Sequence, residues 1–252
     1  MTPPDVSHAL RMPGAGLVTR LKVYDTKSPD AQCGGTPHVH LLCTELYFVT
    51  AGSGAVEIID SSGFRRVDLN PQSAFIFSPG TVHRLINPKG DLELFIVMQN
   101  SGLPERGDNI VTFKDEILAD KNAYAEAMRV ASFEDAYRRR DAGVEGFLEL
   151  KAAFGKGRET GRAALKRFYK RAAAVTQPLR HEWQRVVENG PLREANNSLQ
   201  QIDALEHGNT DYLNDAQNYL IEPGDYKTPG FCGALNRYFD PATLELEGVK
   251  EP

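Results

Sequence analysis

Between residues 17 and 113 the chain is cut by turn sequences into seven short β-prone runs, and that cadence restricts the fold more than any other feature. The runs cover 17–24, 45–50, 55–60, 64–69, 74–77, 82–87 and 92–99, each of ordinary strand length. Segments 51–54, 61–63, 70–73, 78–80 and 87–91 separate them and are rich in Gly, Pro, Asn and Ser. Gly supplies positive φ, Pro presets φ, and Asn or Ser caps the local backbone, so each break has a mechanism. Many short strands at near-regular spacing, with no helix between them, belong to a sandwich or a barrel.

After Lys114 the hydrophobic period lengthens from two to about 3.6 residues. Ser132-x-x-Asp135 reads as a helix start, with Phe133, Tyr137, Val144, Phe147 and Leu148 following and Gly143 and Gly146 as sites of bending or interruption. Leu165, Phe168, Tyr169 and Ala172 stand at i, i+3, i+4 and i+7 of a second helix. A third starts near Pro178, carries Leu179, Trp183, Val186 and Val187 as core, and stops at Asn189-Gly190-Pro191. A fourth covers roughly 192–206, and the tail, 222–252, reads as irregular. The expected class is α+β: an antiparallel β-barrel over 1–113, then a mostly α-helical extension over 114–252.

Composition narrows the partners. Hydrophobic residues make up 41% and charged residues 25%, as in ordinary soluble domains, and the net charge of −5 argues against nucleic acid. The opening residues lack a basic segment followed by an apolar run, and no stretch is apolar enough to span a membrane. Three cysteines, Cys33, Cys43 and Cys232, form no paired framework, and a cytoplasmic protein is expected. The basic run Lys156, Arg158, Arg162, Lys166, Arg167, Lys170 and Arg171 reads as a solvated helix face. Phosphate-loop, dinucleotide-binding and nucleophile-elbow signatures are missing from the sequence.

The chemistry gathers in one stretch. Strand alternation puts His38 and His40 on one face, and Glu45, Tyr47 and Val49 share a face of the next run. Two imidazoles and a carboxylate converging from adjacent strands suit a borderline divalent metal, and His83 supplies a third imidazole from a separate strand. Four ionisable groups facing an apolar interior would be costly without a cation to neutralise Glu45. Tyr47, two residues from Glu45, is a candidate to donate a hydrogen bond to substrate.

His38-x-His40-x4-Glu45-x6-Gly52 and Gly80-x2-His83-x3-Asn87 resemble the two motifs of the cupins. The family glycine six residues before the first histidine is Gln32 here, and the proline of the second motif is shifted to Pro79. The resemblance implies a jelly-roll barrel with His38, His40, Glu45 and His83 as ligands of one divalent metal, Fe(II) first, with Mn, Ni, Co or Zn as alternatives. It implies an enzyme acting on a small organic molecule, foremost an Fe(II) dioxygenase, with Glu45 able to serve also as a base. A non-redox isomerase, lyase or decarboxylase, and a non-catalytic small-molecule-binding cupin, are the alternative expectations. Pairing as a homodimer is implied by the same resemblance, and the helical part is expected to serve as a lid over the barrel mouth or as a dimer interface.

Overall fold

The computed structural model describes residues 12–216, 218, 220 and 225–238; the opening residues 1–11 and much of the tail, 239–252 included, lie outside them. The strands are β1 (Leu17–Val23), β2 (His38–His40), β3 (Glu45–Ala51), β4 (Gly54–Asp60), β5 (Gly63–Leu69), β6 (Ala74–Phe77), β7 (Val82–Ile86), β8 (Glu93–Met98), β9 (Asn109–Val111), β10 (Thr228–Pro229) and β11 (Gly233–Arg237). They form two antiparallel sheets, ordered β10-β11-β1-β8-β3-β6 and β5-β4-β7-β2-β9. Among the described residues no ladder joins one sheet to the other, so the β part is a two-sheet sandwich and not the closed barrel expected. The reason is connectivity: the chain changes sheet through loops such as 24–37 rather than along a continuous strand.

The seven runs are strands to within a few residues, because their turn chemistry is local. Gly52 ends β3 with φ of 69°, and a Cβ there would stand 2.0 Å from the Asp91 carbonyl oxygen. Asn87, fully buried, donates to the Val23 carbonyl at 3.0 Å and accepts from the Leu92 N–H at 3.1 Å. The motif residues that are not candidate ligands thus tie turns to strands. The tail expected to be irregular contributes β11, which pairs with β1 from Thr19↔Arg237 to Val23↔Gly233.

Helices α1 (Asp115–Ala119), α2 (Lys121–Met128), α3 (Phe133–Gly155), α4 (Arg158–Val175), α5 (Arg180–Val187) and α6 (Arg193–Glu206) follow β9. A capping box opens α3: Ser132 Oγ accepts from the Asp135 N–H, and Asp135 Oδ2 accepts from the Ser132 N–H. Gly143 and Gly146 leave α3 unbroken, contrary to expectation, and serve close approach instead. A Cβ on Gly146 would fall 2.0 Å from the Thr112 carbonyl oxygen, and one on Gly143 2.6 Å from Val111.

Two apolar layers result. Leu21, Tyr47, Val49, Val56, Ile58, Leu85 and Leu94 fill the space between the sheets. Val39, Ile59, Val82 and Ile110, on the other face of the second sheet, meet Phe147, Leu165 and Phe168 of α3 and α4. Full burial of each such side chain contributes about 1.5–3 kcal/mol. The second sheet is therefore covered on both faces, and β7 is buried at every position. The main helices thus pack against the outside of the sandwich, and α5 packs its Trp183 and Val186 with Leu17, Cys43 and Met98.

Candidate metal centre

His38 and His40 point from β2, and His83 faces His38 in register from β7, so the second sheet brings three imidazoles together. Glu45 comes from the first sheet, at the start of β3. One donor atom from each of the four lies within 4.8 Å of the others, and all four side chains are buried. The second-motif glycine, Gly80 with φ of 86°, donates its N–H to the His40 carbonyl at 2.9 Å and anchors the turn that leads to His83.

The protonation pattern favours a cation between them. His38 Nδ1 lies 2.9 Å from the Thr36 carbonyl oxygen and His83 Nδ1 lies 3.0 Å from that of Thr81. A carbonyl only accepts, so both Nδ1 atoms carry the proton and both Nε2 atoms present lone pairs. Those two Nε2 atoms face each other at 3.2 Å. Glu45 Oε2 stands 3.2 Å from His83 Nε2 and 3.4 Å from His40 Nε2, yet it is buried without a hydrogen bond. Converging lone pairs and an orphaned carboxylate oxygen repel one another unless a positive charge lies among them. Two nitrogens bound to one ion at about 2.0–2.1 Å are themselves held about 3 Å apart. The donor set of three imidazoles and one carboxylate is thus consistent with a divalent metal.

Without a metal the buried charges depend on one another, and a protonated His40 would face Glu45. Burial opposes charge throughout, but Asp108 and Glu45 outweigh it at His40 and lift it to about 9. Burial would raise Glu45, yet His40 and His83 hold it well below the ordinary carboxylate range. Burial, with His83 and His40 beside it, drives His38 well below its usual value.

Asp108, fully buried, was not singled out by sequence. Its Oδ1 accepts from the N–H groups of Leu41 and Leu42 at 3.1 and 2.9 Å, and its Oδ2 from that of Cys43 at 3.1 Å. The same Oδ2 faces His40 Nδ1 at 3.4 Å. One carboxylate therefore shapes the turn between His40 and Glu45 and sets a negative charge beside the imidazole. Such outer partners typically contribute 10–100-fold to metal affinity. Asp108→Ala is expected to weaken Zn(II) binding by that factor, read by competition with a chromophoric chelator; unchanged affinity would show that the turn holds itself.

A cavity of about 380 Å³ opens on the cluster and is bordered by His38, His40 and Glu45 with Ile96, Met98, Phe231 and Leu235. Glu105, Asn109, Arg139 and Arg237 add polar groups to its wall. Met128 of α2, Val130, Arg139 of α3 and the tail segment 229–232, all from the part of the chain expected to form the helical extension, also border it. Tyr47, expected as a candidate catalytic residue, is on the ligand face but fully buried beneath the cluster and does not border the cavity. Its hydroxyl lies 3.8 Å from Cys232 Sγ, and burial raises it well above the usual tyrosine range.

The cluster and the sandwich are consistent with a cupin-type site for a divalent metal. Residues 23–121 match the family model described as Cupin. No curated protein matches the chain. Among solved structures, an uncharacterized conserved protein with a double-stranded β-helix domain from Klebsiella pneumoniae subsp. pneumoniae MGH 78578 is 16% identical, covering 36% of this chain and 71% of that one, with a TM-score of 0.29. WlaRA, a TDP-fucose-3,4-ketoisomerase from Campylobacter jejuni, is 16% identical over 32% of this chain and 58% of its own, with a TM-score of 0.28. The DMSP lyase DddQ from Ruegeria pomeroyi DSS-3 is 16% identical over 32% and 36%, with a TM-score of 0.25. Overlaps this limited transfer neither reaction nor substrate. Among the described residues no helix is long and apolar enough to cross a membrane.

Proposed function

We propose that the chain is a mononuclear metal-dependent enzyme acting on a small organic molecule, with Fe(II) as the favoured metal and oxygen-using oxidoreduction, foremost dioxygenation, as the favoured chemistry. The observation that carries the metal is the buried, unpartnered Glu45 oxygen among three imidazoles. Four protein donors leave coordination positions free on an ion that prefers six, which separates catalytic from closed structural sites. Bound Fe(II) would supply a place where substrate and O2 meet; Mn, Ni, Co or Zn would supply Lewis acidity for a non-redox isomerisation, elimination or decarboxylation.

The chain's own groups do the rest. His38, His40, His83 and Glu45 would hold the ion; the Thr36 and Thr81 carbonyls fix how the His38 and His83 rings face it, and Asp108 places a negative charge beside His40. Ile96, Met98 and Phe231 give the cavity an apolar wall beside the cluster. Glu45 could also move a proton on substrate if it left the ion.

Oxygen uptake by protein reconstituted anaerobically with Fe(II) tests this, using catechols, enols and thiols as a panel. Uptake that depends on a panel compound and is lost in Glu45→Gln is the expected result. Turnover without O2 after loading with Mn, Ni, Co or Zn would replace oxidoreduction with the non-redox reading. Metal bound firmly with no turnover of either kind would leave a non-catalytic small-molecule-binding cupin.

A further inference from the structure

We propose that the cavity takes a small monocarboxylic acid and that Arg139 binds its carboxylate; this rests on reading the cavity as the substrate site. Arg139 lies on α3, is 7% exposed, and borders the same cavity as His38, His40 and Glu45. Among the described residues three arginines are strongly buried, and their surroundings can be compared. Arg84 pairs with both oxygens of Asp30, and Arg140 pairs with Asp141 and donates to the carbonyls of Thr26 and Lys27. Arg139 has no carboxylate partner among the described residues, and its Nε is buried without a hydrogen bond. A guanidinium stays charged in a protein, so one left without a counter-ion in a buried wall calls for an anion.

A purely structural role accounts for less of this. Arg139 Nη2 donates to the Gly230 carbonyl at 2.7 Å, but the Tyr24 hydroxyl already donates to that oxygen at 2.9 Å. The Tyr24 bond and the stacking of Arg139 on Phe231 both hold the tail segment over the cavity, but neither supplies the guanidinium with a counter-charge. The position also fits a substrate bridging to the metal ligands. The guanidinium carbon lies 4.0 Å above the Phe231 ring, and that ring lies 5.0 Å from the His38 ring, so Arg139 and His38 are separated by no more than the sum. A carboxylate on Arg139 would leave a few heavy atoms to lie along Phe231 toward the cluster. A guanidinium matches a carboxylate's two oxygens in plane, so the one buried guanidinium without a carboxylate partner among the described residues calls for one such group on the ligand.

The test is calorimetric titration of the full chain, stripped of metal by a chelator, with lactate and with lactamide, its neutral counterpart. Lactate is expected to bind about tenfold more tightly than lactamide, as one charge-assisted contact warrants. In Arg139→Gln, which keeps a donor for Gly230 and the Tyr24 contact, that preference should vanish while the melting temperature holds. Arg139→Lys should keep part of it and serves if the glutamine variant folds poorly. Equal binding of the two probes, no lactate binding at millimolar concentration, or an unchanged preference in Arg139→Gln would overturn the proposal. Tighter binding of inorganic phosphate than of lactate would overturn the carboxylate class. Because the titration contains no metal, its outcome is independent of whether the cluster takes one up.

Discussion

His83→Ala should lower divalent-metal affinity by more than 100-fold, beyond the range of about 10–100-fold typical when an outer partner of a ligand is lost. His83 is the group on which the cluster's geometry converges: its Nε2 is 3.2 Å from His38 Nε2 and 3.2 Å from Glu45 Oε2. Its ring is held by the Thr81 carbonyl behind it and by Phe77, whose ring centre is 4.2 Å away. Removing it deletes a nitrogen donor whose tautomer the backbone has already set, and no other described histidine stands in the cluster to replace it. The same loss is expected for His38→Ala. Titration of both variants with Zn(II) against a chelator checks the effect, and Asp108→Ala should fall between them and the parent. Parent-like affinity in His83→Ala would mean that the metal binds elsewhere.

Asp30→Asn is expected to destabilise the fold by about 3 kcal/mol, the lower end for breaking a buried ion pair because Asp30 keeps some contact with water. Arg84 follows His83 on β7 and its side chain is fully buried, whereas that of Asp30 is 12% exposed. Two hydrogen bonds, at 2.7 and 3.1 Å, join them. The substitution leaves the guanidinium buried with Glu57, 3.9 Å away, as its nearest remaining carboxylate. Burial would raise the Asp30 carboxyl, but hydrogen bonds from Arg84, Gln32 and Ser28 hold it well below the usual range. A depressed carboxylate contributes stability that is fully present above its unfolded value of about 3.9 and is lost as pH falls below it. The parent should therefore lose stability from about pH 4 downward more steeply than Asp30→Asn. Urea denaturation at neutral pH and near pH 3 measures both effects. Equal midpoints at neutral pH would show that the pair adds nothing.

The parts legible in sequence were those governed by neighbours along the chain. Turn residues mark where β3, β4 and β5 end, and strand alternation places His38 and His40 on one face before any fold is known. The Ser132/Asp135 box announces α3 for the same reason. What stayed hidden depends on distant contacts. β11 has no alternating pattern and lies in a Pro- and Gly-rich tail, and it is a strand because β1 offers it an edge. The short helices α1 and α2 carry too little apolar periodicity to stand out; α2 buries no residue completely. Asp108 looks like any turn aspartate until the fold brings it to a segment more than sixty residues earlier in the chain. Arg138, Arg139 and Arg140 form one basic triplet in sequence, and only packing separates an exposed side chain from two buried ones. Tyr47 sits on the face that alternation assigns, but Cys232 from the tail meets its hydroxyl.

The measurement that bears most directly on the metal centre is elemental analysis of protein purified anaerobically, followed by reconstitution of whatever portion is metal-free. About one equivalent of divalent metal per chain, Fe foremost, is the result expected of a single His38, His40, Glu45 and His83 centre. Absence of metal from the purified protein, and no uptake of Fe, Mn, Ni, Co or Zn on reconstitution, would contradict the centre and leave the orphaned Glu45 oxygen without the partner inferred for it.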